Sequence, residues 1–121
     1  MKHYLGKIVE STLKNVNYRE VLYTGPKMQL VVMALDPGEE IGEEIHAEHD
    51  QFFRFEAGEG KVVLDGVPHD ISVGDVLIVP AGMRHNIINT SADSPMKLYT
   101  IYAPPEHRPE TVHPRKQDEI A

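Results

Sequence analysis

Glu44, His46, His49 and Gln51 fall within the segment GEEIGEEIHAEHDQFFRFEAGEG, residues 38–60, which also holds the three phenylalanines of the chain, Phe52, Phe53 and Phe55. Carboxylate oxygen, imidazole nitrogen and amide oxygen are the donors that divalent cations of hard or borderline character accept. A plainer reading competes. Seven acids and no Lys or Arg occur from Asp36 to Asp50, and such a run is commonly a solvated loop. One more histidine, His85, stands downstream in RHNIIN. Whether these side chains meet depends on the elements that carry them.

Those elements read as short strands separated by turn residues. REVLYT (19–24), MQLVVMAL (28–35), QFFRFE (51–56), KVVL (61–64), ISV (71–73), DVLIVP (75–80), RHNIINT (84–90) and KLYTIYA (97–103) are β-type runs, and Asp65-Gly66 is a hairpin-turn signal. Turn residues recur at about every 8–12 residues, the rhythm of an all-β sandwich or barrel. Helix is confined to a turn or two around Ile8–Asn15 or in the last dozen residues. The tail from Ala103 carries four of the nine prolines and is expected to run extended over the surface. Side chains alternate along strands. Glu44 therefore shares a face with His46, Gln51 with Phe53 and Phe55, and His85 with Ile87. Strands in register would aim Glu44, His46, Gln51 and His85 into one cavity lined by Phe53, Phe55 and Ile87, with Phe52 and Arg54 facing outward.

Two spaced motifs make the sequence resemble a cupin. In GDVLIVPAGMRHNIIN, Gly74, Pro80, Gly82, His85 and Asn89 match the family pattern G-x5-P-x-G-x2-H-x3-N. The companion pattern, G-x5-H-x-H-x3,4-E-x6-G, matches in spacing from Gly38 to Gly58, with Glu44 at the first histidine position and Gln51 at the glutamate position. The resemblance implies a single-domain jelly-roll β-barrel over residues 1–121, with its core at about 19–103, an extended N-terminal arm (1–18) and a proline-rich C-terminal tail (104–121). It also implies a divalent metal ion, Fe, Mn, Zn or Ni, held by Glu44, His46, Gln51 and His85. The departures preserve charge: the carboxylate has moved to the first position, and the set still carries −1. Exchanging an imidazole for an amide oxygen hardens the site toward Fe(II) or Mn(II).

Small cupins that resemble this sequence include sugar isomerases, sugar-acid tautomerases and dioxygenases. The implied activity is isomerase- or tautomerase-like chemistry on a small oxygen-rich metabolite; the alternatives are a non-haem iron dioxygenase and a non-catalytic binding barrel. His49 and Tyr102 are candidate catalytic residues, as base and proton donor. His49 equally suits a surface histidine on a turn. A homodimer formed through an outer sheet is expected from the resemblance.

Composition bounds the rest. Twelve basic against nineteen acidic residues give a net charge of −7, the wrong sign for nucleic acid or an anionic membrane. Without cysteine there is no disulfide, thiolate ligand or cysteine nucleophile. No apolar run reaches the length of a membrane span, and the N-terminus lacks the apolar stretch of a secretory signal; a cytoplasmic location is expected. The glycines of AGEGK and PAG are turn positions, and no serine sits in a nucleophile elbow.

Overall fold

A computed structural model describes residues 1–120. After a short helix, α1 (Ile8–Lys14), come strands β1 (Arg19–Thr24), β2 (Gln29–Leu35), β3 (Glu44–Ile45), β4 (Asp50–Ala57), β5 (Glu59–Leu64), β6 (Val67–Ser72), β7 (Val76–Val79), β8 (Arg84–Asn89), β9 (Met96–Ala103) and β10 (Val112–His113). They form two antiparallel sheets, one in the order β10-β1-β2-β9-β4-β7 and the other β3-β8-β5-β6. This is the jelly-roll barrel expected from the motifs.

Strand alternation builds the interior. β9 reads buried and half-buried in strict alternation, so Met96, Leu98, Thr100 and Tyr102 face inward and their neighbours outward. Val31, Met33 and Leu35 from β2, Phe53 and Phe55 from β4, and Ile87 from β8 complete a core in which each of these side chains is buried. Burying a large apolar side chain stabilises the fold by about 1.5–3 kcal/mol, so this layer is the main source of cohesion between the sheets. Phe52 faces outward as anticipated, its ring 6.0 Å from that of Tyr99. On β5, Gly60 lies so close to the Ile88 carbonyl and the Met96 methyl that a Cβ there would overlap both. The β5–β6 hairpin turns on Asp65-Gly66, both at positive φ (48° and 84°), as a two-residue turn of the primed type requires.

The helical turns expected around Ile8–Asn15 and in the last dozen residues are present, but neither terminus is simply extended. The arm is not extended throughout: α1 lies in it, packed against β2, β4 and β9, and the Lys97 ammonium caps its end on the Leu13 carbonyl at 2.6 Å. Nor does the tail simply cross the surface. β10 pairs with the edge strand β1, and a 3-10 turn, η1 (Lys116–Ile120), follows. Polar side chains fold the tail back. Gln29, fully buried on an otherwise apolar strand, accepts from the Glu106 and His107 amides with Oε1 and donates with Nε2 to the His107 carbonyl at 2.7 Å. No helix among the described residues is long and apolar enough to cross a membrane.

Candidate metal centre

The acidic run is docked rather than free. Ile41 and Asn89 amides donate to the Ile87 and Glu39 carbonyls at 2.9 Å, and the Gly42 amide donates to Asn86 Oδ1 at 2.9 Å. Residues 39–42 are thereby fixed along β8, and the chain continues into β3, where Glu44 lies directly opposite His85. The turn Pro80–Met83, with Gly82 at φ 88°, is stitched to the same region. Its Gly82 amide donates to the His46 carbonyl at 2.8 Å, and its Ala81 amide donates to the Asp50 carboxylate at 2.9 Å. These bonds bring His46 and His85 together at the barrel end, ring centroids 5.3 Å apart and tilted by 47°. Of the seven acids, Asp36, Glu40, Glu43, Glu48 and Asp50 are exposed, whereas Glu39 and Glu44 are half-buried.

Donor atoms of Glu44, His46 and His85 lie within 4.8 Å of one another. Gln51 faces inward on β4, opposite Tyr102, and is 3% exposed. Its Nε2 donates to Thr100 Oγ1 at 3.0 Å, which fixes the amide orientation and leaves Oε1 without a partner. The His85 ring is fixed likewise: Nδ1 meets the Met83 carbonyl at 3.1 Å, so the proton sits there and Nε2 keeps its lone pair. His46 Nδ1 lies 3.0 Å from a Glu106 carboxylate oxygen. That carboxylate holds the proton on Nδ1, so Nε2 is the nitrogen turned inward. An orienting partner on the far nitrogen is the arrangement found around metal-bound histidines.

The fit to a metal ion rests on the atoms left without partners. His46 Nε2, His85 Nε2 and Gln51 Oε1 are buried acceptors with no hydrogen-bond partner, and a stranded buried polar atom costs about 1–3 kcal/mol. His46 and His85 stand with the Glu44 carboxylate within 4.8 Å of one another, and the donor types of Glu44, His46, Gln51 and His85 are chemically suited to a divalent ion. Burial pushes the Glu44 carboxyl up, but the neighbouring His46, with His85 and Arg19, outweighs it and holds Glu44 below its ordinary range. The Glu44 carboxylate, 3.6 Å from His46 Nε2, pulls the His46 imidazole above its ordinary value.

His49 is not a surface residue: it is 8% exposed, and its ring centroid lies 4.6 Å from that of His46. Burial lowers its basicity, so it is neutral near pH 7. Its Nε2 is 3.5 Å from the same Glu106 carboxylate that faces His46. Tyr102 stands edge-on to His46, His49 and His107, at 5.9, 5.5 and 5.1 Å. Its hydroxyl is 3.3 Å from His107 Nε2, and burial raises it well above the usual phenol range. Asn89, the last residue of the second motif, is structural. Its amide nitrogen reaches the carbonyls of Leu35, Asp36 and Ser94 at 3.1, 3.1 and 2.9 Å, tying β8 to the end of β2.

Sequence reasoning missed Glu106, Gln29 and Arg19. Glu106 sits in a proline-rich tail with no periodicity to place it. Gln29 and Arg19 did leave a trace: each occupies an inward position on its strand, in line with Val31 and Val21, where a polar residue is out of place.

With fold and site in view, comparison with known proteins places the chain. Residues 31–102 match the family model described as "Cupin domain". YrkC of Bacillus subtilis is 43% identical over 126 aligned positions, covering 99% of this chain and 67% of that one. The mimivirus protein L612 of Acanthamoeba polyphaga mimivirus is 42% identical over 93% of this chain and 72% of its own length. Among solved structures, the BH2720 protein of Bacillus halodurans superposes with a TM-score of 0.94 at 37% identity, covering 98% of this chain and 94% of that one. The chain belongs to the cupin family.

Proposed function

We propose that this cupin holds one divalent metal ion on Glu44, His46, Gln51 and His85 and promotes isomerisation or tautomerisation of a small oxygen-rich metabolite of sugar or sugar-acid type. The observation that carries the reading is the cluster of Glu44, His46 and His85, donor atoms within 4.8 Å of one another, with His46 Nε2, His85 Nε2 and Gln51 Oε1 buried and without hydrogen-bond partners. Bound there, the metal supplies Lewis acidity toward a hydroxy-carbonyl group.

The remaining work falls to the chain. His49, kept neutral by burial, accepts a proton from the carbon beside the carbonyl. Tyr102, which holds its proton to high pH, donates to an oxygen and recovers hydrogen-bond support from His107. A cleft of about 400 Å³ is lined by His46, Glu48, His49, Pro105 and Glu106, within the size range of small-molecule sites.

A second reading rests on one feature of the same site. Two imidazoles and a carboxylate, here His46, His85 and Glu44, form the ligand set of open non-haem iron centres, which supports a dioxygenase. Plasma mass spectrometry on protein purified without added metal should find about one equivalent of a transition metal, lost in Glu44→Ala and His85→Ala. Turnover of sugar acids in deuterated water then separates the readings. Solvent deuterium entering the substrate carbon is expected for isomerisation, and oxygen consumption for the dioxygenase. Bound metal with neither outcome overturns both and leaves a binding barrel.

A further inference from the structure

Arg19 is the one buried Lys or Arg side chain among the described residues, and the isomerase chemistry leaves it unused. It points inward from β1, is 3% exposed, and lies with its guanidinium carbon 5.1 Å from the Tyr18 ring centroid. A guanidinium so deeply buried is costly unless its donors are met. The bonds it has come from the tail: Nη1 donates to the Glu119 carboxylate at 3.0 Å and lies 3.3 Å from His113 Nδ1. Its Nε has no partner, and neither has the buried Tyr18 hydroxyl beside it.

A purely structural staple would use the guanidinium fork in full, because two parallel bonds to one carboxylate are its preferred geometry. Here the carboxylate takes one nitrogen, and two buried donors on the same wall stay open. The partner is also delivered by the last turn of the described chain, η1, and its carboxylate side chain remains 30% exposed.

We propose that Arg19, with the Tyr18 hydroxyl, is a carboxylate-binding subsite of the barrel, and that Glu119 occupies it until a small carboxylic acid displaces the tail. Binding at Arg19 stands independently of the proposed isomerase activity; only the chemistry after binding rests on that activity. The subsite narrows the substrate from oxygen-rich metabolites in general to small hydroxy or oxo acids.

The test uses the full chain, stripped of metal, and glycolate as probe, with glycolamide as its neutral isostere. The arginine Nε–H resonance of Arg19 is followed by nitrogen-proton correlation spectroscopy. Glycolate should move that resonance and glycolamide should not. Glu119→Gln, at an exposed turn, should tighten glycolate binding by roughly ten- to a hundredfold, the factor carried by a charge-assisted hydrogen bond. Arg19→Met should abolish it; should that variant fail to fold, Glu119→Gln and the Nε–H resonance carry the test. An unmoved Arg19 resonance, equal binding of glycolamide, or unchanged affinity in Glu119→Gln overturns the proposal and leaves a closing ion pair. Zinc uptake by the parent is measured separately: its loss would remove the proposed function while a glycolate-responsive Arg19 left the subsite standing.

Discussion

Gln51→Leu distinguishes a metal ligand from a packing amide, because the two roles predict opposite behaviour. In the metal-free protein the substitution removes a stranded oxygen, Oε1, and strands another atom, the hydroxyl of Thr100, itself 0% exposed. Each stranded group costs about 1–3 kcal/mol, so the two changes offset and the metal-free melting temperature should stay within about 5 °C of the parent. Metal changes the comparison. Zinc at 100 times its dissociation constant stabilises the parent by about 2.7 kcal/mol, which in a chain of this length is a rise of roughly 8–12 °C. A site short of one ligand binds more weakly by a factor of at least about 10–100, judged from the smaller effect of losing an outer partner. At the same zinc concentration the gain falls to about 1.4 kcal/mol or less, a rise of about 5 °C or below. Differential scanning fluorimetry of both proteins, with chelator and with zinc, reads all four values. A Gln51→Leu protein that melts about 15 °C below the parent without metal, yet rises equally with zinc, would refute the reasoning and make Gln51 a structural amide.

Three further outcomes are expected. Glu106→Gln removes the carboxylate that faces His46 Nδ1 and should lower zinc affinity by about 10–100-fold with the fold retained, as isothermal titration would show. Asn89→Ala should destabilise the metal-free protein by about 1–3 kcal/mol in urea unfolding, since the buried Leu35 carbonyl and the part-buried Asp36 and Ser94 carbonyls lose their common donor and a stranded buried group carries about 1–3 kcal/mol. Burial, with the charge of Arg19, pushes His107 down to about 4. The unfolded chain therefore takes up a proton between pH 6.5 and 4 that the folded chain refuses, and stability falls as pH drops through that window. The loss is about 3 kcal/mol at one pKa unit per 1.36 kcal/mol, and His107→Leu should be missing it when urea midpoints are compared from about pH 7 to pH 4.

The barrel strands were legible because each carries its own evidence. REVLYT coincides with β1, and RHNIINT matches β8 to within one residue, since alternation and turn residues are local properties. The convergence of Glu44, His46 and His85 was legible because short connections of fixed length lead from β3 into β4 and from β7 into β8, across the two sheets. β3 was not: Glu44-Ile45 is a strand only through pairing with His85 and Arg84, and two residues have no period. Glu106 and Glu119 were hidden for a similar reason. Their positions depend on Gln29 and Arg19, which lie 77 and 100 residues away, and such contacts leave no mark on the tail itself. His49 was misjudged as a surface residue because a turn is ordinarily exposed; here the returning tail covers it.

The exposed acids around the mouth, Glu43, Glu48 and Asp50 with Glu106, have a kinetic consequence. A negative rim draws cations in, so metal capture should be fast at low ionic strength and slow as salt shortens the Debye length to about 8–10 Å. An anion meets the same field with the opposite sign. Its association rate should rise with salt, while its dissociation, governed by short-range bonds deeper in the barrel, stays nearly constant. Admission and retention are thus set by separate layers of charge, one at the rim and one on the inner wall.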